Sequence, residues 1–183
     1  MTTTARATLE DLYKIDGKAE LVAGEIKHMS PTGRKPGYAA DEIFVSLRLH
    51  VRNLGVGIAV GDNKGFRVAL PSRESFSLDA AYYVGPNSDM RFFEGAPRFA
   101  VEVRSEGDYG LQAEREMAAK RADYFAAGTL VVWDVDLLSS DVIRKYAANS
   151  PLTATLFSRG ALADAEPAVP GWVLSVNDLF ELV

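Results

Sequence analysis

Residues 99–136 constrain the architecture more than any other part of the chain. In "FAVEV", Phe99, Val101 and Val103 alternate with Ala100 and Glu102, as the side chains of a strand do. "LQAEREMAAKRADYFAAG" follows, rich in Ala, Glu, Arg and Met, and Gly128 closes it, which is helix composition with a C-terminal glycine. Next comes "TLVVWDVD", a near-continuous apolar run of the kind covered on both faces of a sheet. Strand, helix and strand in this order predict a right-handed crossover between parallel strands.

The rest of the chain fits around that unit. Thr8 and Asp11 form a weak capping box for a short helix over 8–15. "AELVAGEIKHM" reads as two short strands about the Ala23-Gly24 turn, and "SPTGRKPGY" as a loop. Ile43, Phe44, Leu47, Val51 and Leu54 recur at helical spacing, predicting a helix over 38–54 that ends at Gly55. "VGIAV", "FRVAL" and "LDAAYYV" read as three strands of a meander separated by turns, with Gly55, Gly57, Gly61 and Gly65 as turn residues. "DVIRKYAA" and "TATLFS" add strands, and "PGWVLSVNDLFELV" an extended piece and a short helix. No repeat or linker divides the 183 residues. One domain spanning 1–183 is expected, of α/β (α+β) class: a mixed sheet flanked by helices.

Composition narrows the function. A formal net charge of −5 is the wrong sign for a generally basic nucleic-acid-binding surface, so any such contact must come from a local patch. There is no cysteine, which removes disulfides, thiolate metal sites and cysteine nucleophiles. No apolar run approaches the ~20 residues of a membrane span, and "MTTTARATLEDLYK" lacks the apolar core of a secretory signal. These features predict a cytoplasmic protein. The glycines lack the "GKS" or "GKT" of a phosphate-binding loop, and His28 and His50 stand far apart, against a histidine metal site or a serine-histidine-aspartate triad. Trp133 and Trp172 lie in apolar segments and read as core.

Three carboxylates on or beside strands stand out: Glu20, Asp79 and Glu102. Alternation puts Asp79 on one face with Ala81 and Tyr83, and Glu102 on one face with Ala100 and Arg104. If the two strands were adjacent, Asp79 and Glu102 could converge on one divalent cation, and hard ions such as Mg²⁺ favour oxygen ligands with several retained waters. The other reading is carboxylates at strand ends, facing water or paired with arginine. Ala113, Met117, Lys120 and Tyr124 share one helical stripe that should face the sheet. An inward lysine needs a carboxylate, so Lys120 points to an acidic site beneath the helix. Alternatively its head snorkels to water, and Arg121, on a neighbouring stripe with Met117 and Phe125, competes for the role.

The order "AELVAGEIKHMSPTG", "LDAAYY", "APRFAVEVRSEGD", the run from Lys120 through Tyr124 to Gly128 into "TLVVWDVD", and "VPGWVLSVNDLF" resembles the Uma-two family, a branch of the PD-(D/E)XK nuclease superfamily. The resemblance covers nearly the whole chain and implies a restriction-endonuclease-like core. It implies that Asp79 is the motif's aspartate and Glu102 its second acid, holding a Mg²⁺ or Mn²⁺ ion with the backbone carbonyl of Val103. In many relatives the lysine lies two residues after that acid, where Arg104 stands here; the Uma-two pattern places it in the next helix, and Lys120 matches. Glu20 matches the acid of the family's "E-L-x-x-G-E" segment. The implied activity is a metal-dependent endonuclease, a hydrolase cutting phosphodiester bonds of nucleic acid, DNA foremost, with a homodimer suited to cutting two strands. Two positions depart from the pattern: Leu78 replaces a proline, and Pro36 lies where relatives often carry a histidine.

Arg104, Arg34 and Lys35 are candidates to contact substrate phosphates, as is the pair Arg48 and Arg52; a salt bridge for Arg104 and plain solvation for the others are the competing readings. Without metal, Asp79 and Glu102 should repel, raising the pKa of one. The alternative class is a catalytically silent binding module that keeps the fold. Such a module would show no Mn²⁺ site that disappears in Asp79→Ala.

Overall fold

A computed structural model describes residues 6–180. Thr8 and Asp11 do close a capping box, opening α1 (Leu9–Leu12), which is shorter than its sequence suggested. β1 (Ala19–Val22) and β2 (Glu25–His28) form an antiparallel pair about Ala23 and Gly24, both at positive φ.

α2 spans Arg34–Leu54 and begins four residues earlier than the apolar spacing predicts. Gly33 supplies an extended N-cap, and Pro36 falls in the first turn, where its missing N–H costs no hydrogen bond. Arg34 and Lys35 therefore lie on the first helical turn and not in a flexible loop.

β3 (Ile58–Leu70) merges the expected strands "VGIAV" and "FRVAL". The residues between them form a bulge, not a turn: β3 pairs with β4 (Arg73–Tyr83) from Gly61 opposite Ala80 directly to Lys64 opposite Leu78. Asp62 and Asn63 thus both oppose Asp79, and Asn63 sits at φ 58°. Gly61 and Gly65 are strand residues; at Gly65 a Cβ would come within 2.5 Å of the Phe92 ring.

β5 (Phe93–Glu94), β6 (Phe99–Val103), α3 (Leu111–Ala126), β7 (Val131–Val135), β8 (Ile143–Ala147) and β9 (Ser150–Phe157) complete the main layer. The seven-stranded mixed sheet has the order β5-β3-β4-β6-β7-β8-β9. β6 and β7 are parallel, joined through α3 as the sequence predicts; the other neighbours are antiparallel except β3 with β5. A small pair, β10 (Leu162–Asp164) with β11 (Val173–Ser175), precedes a 3-10 turn at Val176–Leu179; the rest of the expected terminal helix, 181–183, lies outside the described residues.

Alternation along the central strands gives the sheet two cores. Ala80, Val101 and Trp133 face α2, where they meet Ile43, Leu47, Val51 and Trp172. Trp133 and Trp172 stack there with centroids 5.1 Å apart. Ala81, Ala100 and Val132 face the other way, with Tyr124 of α3, Phe66, Phe76 and Tyr83. β4 is buried along nearly its whole length, so any charge on it needs a partner. Among the described residues no helix is long and apolar enough to cross a membrane.

Candidate active site

The pairing of β4 with β6 places Ala80 opposite Val101 and Ala81 opposite Ala100. One step further along the same register brings Asp79 opposite Glu102, on the face that α3 covers. The backbone N–H of Val103 donates to Asp79 Oδ2 at 2.7 Å, tying the aspartate to the strand that carries the glutamate. The next residues on that face, Ala81 and Ala100, are small and fully buried in the core with Phe76 and Tyr124.

α3 lies over this point with Ala113, Met117, Lys120 and Tyr124 turned toward the sheet. Lys120 Nζ stands 2.8 Å from Glu102 Oε1 and 2.8 Å from Glu20 Oε1. Glu20 arrives from β1, and three contacts lock that strand beside β4. The N–H of Ser77 donates to Glu20 Oε1 at 2.8 Å, the N–H of Leu21 donates to Ser75 Oγ at 2.8 Å, and Arg73 Nη1 donates to Glu20 Oε2 at 2.5 Å. Arg73 also bonds Asp123 of α3 at 2.9 Å. Arg121, the alternative to Lys120, instead lies 3.8 Å over the Tyr146 ring.

Two further side chains complete the constellation. The Tyr124 hydroxyl donates to Glu102 Oε1 at 2.5 Å, and its ring stacks on Phe76 with centroids 4.1 Å apart. Lys18, just ahead of β1, holds Asp79 Oδ1 at 2.8 Å and Asp62 Oδ1 at 2.7 Å. Helical spacing puts Tyr124 on the inward stripe without assigning its hydroxyl a role, and it does not single out Lys18 at all. Lys18 precedes its strand, and its partners are 44 and 61 residues away in sequence; Tyr124 reads as core until its hydroxyl is placed.

The electrostatics follow from this arrangement. Burial pushes the Glu102 carboxyl up, and Asp79 and Glu20 add to the rise against the opposing pull of Lys120, leaving it at about 7. The expected repulsion between the two acids therefore falls on Glu102. Burial works against the Lys120 ammonium, but Glu102 and Glu20 outweigh it and hold its pKa above the usual lysine value. Glu20 is held below the carboxylate range despite full burial, by Lys120 and Arg73. Lys18 is raised: Asp79 and Asp62 more than offset its desolvation. Tyr124 is pushed well up by burial and by the two glutamates.

A cleft of about 790 Å³ opens over these groups, lined by Lys18, Glu20, Asp79, Glu102, Val103, Lys120 and Tyr124 and rimmed by Lys27, His28, Thr32 and Arg121. Asp79, Glu102 and Lys120 thus converge, with Glu20 behind them and Val103 beside them. Arg34 and Lys35 do not line the cleft. Arg104 does, yet its guanidinium is committed: it makes two 2.7 Å bonds to Asp134 of β7 and a further ion pair to Glu114 of α3. Of the two sequence readings for Arg104, the salt bridge is the contact present.

The donor set suits a hard divalent cation. Five carboxylates (Glu20, Asp62, Asp79, Glu102 and Asp123) meet three cations (Lys18, Arg73 and Lys120). Glu102 shares its one cation, Lys120, with Glu20, and its side chain is 26% exposed. Among the described residues no group of three or more His, Asp or Glu side chains surrounds one point. Of the residues expected to hold such a cation, Asp79, Glu102 and Val103 all line the cleft.

A protein-family model described as "Uma2: Putative restriction endonuclease" matches residues 7–177. The fold is similar to the crystal structure of a putative nuclease of the DUF820 group from Anabaena variabilis, with a TM-score of 0.74 and 17% identity, over 94% of this chain and 97% of that one. At that identity the likeness speaks for the fold. No curated protein matches the sequence.

Proposed function

The chain belongs to the Uma2 family of putative restriction endonucleases, and from that premise we propose that it is a divalent-metal-dependent endonuclease that hydrolyses phosphodiester bonds in DNA. The observation that carries the reading is Lys120, an inward lysine 2.8 Å from both Glu20 and Glu102 in a cleft whose opposing strand supplies Asp79. A packing role alone gives no reason to gather these charges under a helix, since apolar residues of similar volume are often as stable or more so.

Asp79, Glu102 and the Val103 carbonyl would hold Mg²⁺ or Mn²⁺. Once bound, the ion supplies charge neutralisation at the scissile phosphate and acidifies the attacking water. Lys120 is the chain's own contribution at the reacting phosphorus: its ammonium orients the water and offsets the charge that builds on the pentavalent transition state. Glu20 holds Lys120 in place and is itself fixed by Arg73 and the Ser77 N–H. Tyr124 fixes the rotamer of Glu102. Lys27 and Arg121 on the rim, and Arg34 and Lys35 on the first turn of α2, are candidates to contact the DNA backbone. A second copy would allow both strands to be cut.

The test is cleavage of plasmid and single-stranded DNA at low salt with Mg²⁺ or Mn²⁺ by wild type, Asp79→Ala and Lys120→Ala. Cutting that requires the metal and both side chains supports the reading; equal behaviour of all three proteins overturns it.

A further inference from the structure

Helix α2 carries apolar side chains on two opposite faces. Ala39, Ile43, Leu47 and Val51 are its buried side, packed on the sheet. On the outer side Val45 is 50% and Leu49 59% exposed, and Val56, 55% exposed, lies just past the helix end at Gly55. A helix that covers one core needs a single apolar stripe, and exposed apolar side chains rimmed by polar ones mark an interaction surface.

The charges around the outer stripe say what covers it. Glu42, Val45, Leu49 and Arg52 are spaced three, four and three residues apart, the seam along which one helix packs on another. The acidic end of the seam is Glu42, with Asp41 beside it; the basic end is Arg52, with Arg48 one turn back. Among the described residues none of these four makes an ion pair within its own chain. The seam is symmetric in position about Leu47 and opposite in charge across it. Laid antiparallel on a copy of itself, it sets Glu42 against Arg52 and Val45 against Leu49, each contact occurring twice about one two-fold axis. A parallel pair would set Glu42 against Glu42 and Arg52 against Arg52, which repel.

We propose that α2 is a homodimer interface, in which Val45 and Leu49 of one chain pack antiparallel on the same residues of a second copy, with Glu42 and Arg52 pairing at both ends. The stripe lies across the sheet from α3, so pairing through it leaves both clefts open. Arg48 and Arg52 do not line the cleft, and the interface gives Arg52 a role other than phosphate contact or plain solvation. The inference is independent of the metal-dependent reading above, since it uses no residue of that site.

The experiment is sedimentation velocity of the full chain over the micromolar range, on wild type, Glu42→Arg, Arg52→Glu and Leu49→Glu, with circular dichroism to establish folding. All three side chains lie outside the buried core, so the variants should fold. Wild type should sediment at twice the chain mass and each variant at the chain mass, because the reversals place like charges together and Leu49→Glu puts a carboxylate in the seam. An equimolar mixture of Glu42→Arg and Arg52→Glu should sediment as a dimer again, since each chain then offers one sign at both ends and the other chain the opposite sign. Monomeric wild type overturns the proposal and leaves the stripe to a different partner. A dimer that survives both reversals and Leu49→Glu places the contact on another surface and also overturns it, as does a mixture of the two reversed chains that stays monomeric. None of these outcomes bears on metal binding or cleavage, which stand or fall on the Asp79 and Lys120 variants.

Discussion

Tyr124 and Lys120 donate to the same oxygen of Glu102, Oε1, at 2.5 Å and 2.8 Å. Both donors come from one helical stripe of α3, one turn apart. Both donors act on one carboxylate oxygen, so α3 fixes the rotamer of Glu102. Tyr124→Phe keeps the ring stacked on Phe76 and removes only the hydroxyl. It should cost about 1.5–3 kcal/mol, the range for a hydrogen bond to a charged group, read by chemical denaturation. It should also weaken Mn²⁺ binding by several fold, because the Glu102 rotamer is then held by Lys120 alone. Unchanged Mn²⁺ affinity in Tyr124→Phe would confine the tyrosine to a packing role.

Arg104 is predicted to matter for stability and not for DNA contact. Its side chain is 3% exposed and joins β6 to Asp134 on β7 and to Glu114 at the start of α3, so it staples the helix that carries Lys120 to the sheet. Removing one partner of a buried pair typically costs about 3–5 kcal/mol, and Arg104→Met should fall in that range. Arg104→Lys should recover only part of it, since an ammonium lacks the planar fork that reaches two carboxylates. The salt dependence of DNA binding should be the same in folded Arg104→Met as in wild type. A shallower salt slope in the variant would instead place Arg104 on a phosphate.

Glu102 should impose a pH dependence on the metal-free protein. Its carboxyl rises from 4.5 to about 7 on folding, so between those values the folded state binds the extra proton. The stability this group contributes is present in full below 4.5 and is lost as pH climbs through 7. Glu102→Gln cannot titrate, so its stability relative to wild type should increase across that window. Each tenfold change in proton affinity corresponds to about 1.36 kcal/mol, and with a discount for partial exposure the gain is roughly 2 kcal/mol. A difference between the two proteins that stays flat from acid to neutral pH, measured by denaturant unfolding, would contradict the assignment.

How much of this was legible in the sequence depends on the range of the forces involved. The stripe holding Lys120 and Tyr124 could be read from helical spacing, and the faces of Asp79 and Glu102 from strand alternation, because both follow from local backbone period. The adjacency of β4 and β6 was only a condition, since strand order comes from long-range pairing. "GDNKG" has the composition of a turn and becomes a bulge because the flanking strands continue to pair with β4 on both sides of it. "SPTGRKPG" has the composition of a loop, yet Gly33 caps a helix and Pro36 is tolerated in its first turn. Asp134, hidden in an apolar run, could not be read as the partner of Arg104 until β6 and β7 were set in register, Glu102 opposite Asp134.

Lys120→Ala separates charge balance from chemistry at the same residue. Glu20 keeps Arg73 and the Ser77 N–H when the ammonium is removed, whereas Glu102 keeps only the neutral Tyr124 hydroxyl. The cost of ionising Glu102 therefore increases, and its carboxyl should rise further above the value it has in wild type. Since a ligand carboxylate must lose its proton to bind metal, the pH at which the variant loads Mn²⁺ should move upward, with loading restored at alkaline pH. If Lys120 also stabilises the transition state, cleavage should remain low there by a factor on the order of 10²–10³, the cost of deleting one positioned donor. Full recovery of cleavage once Mn²⁺ is loaded would reduce Lys120 to a counter-charge for Glu102.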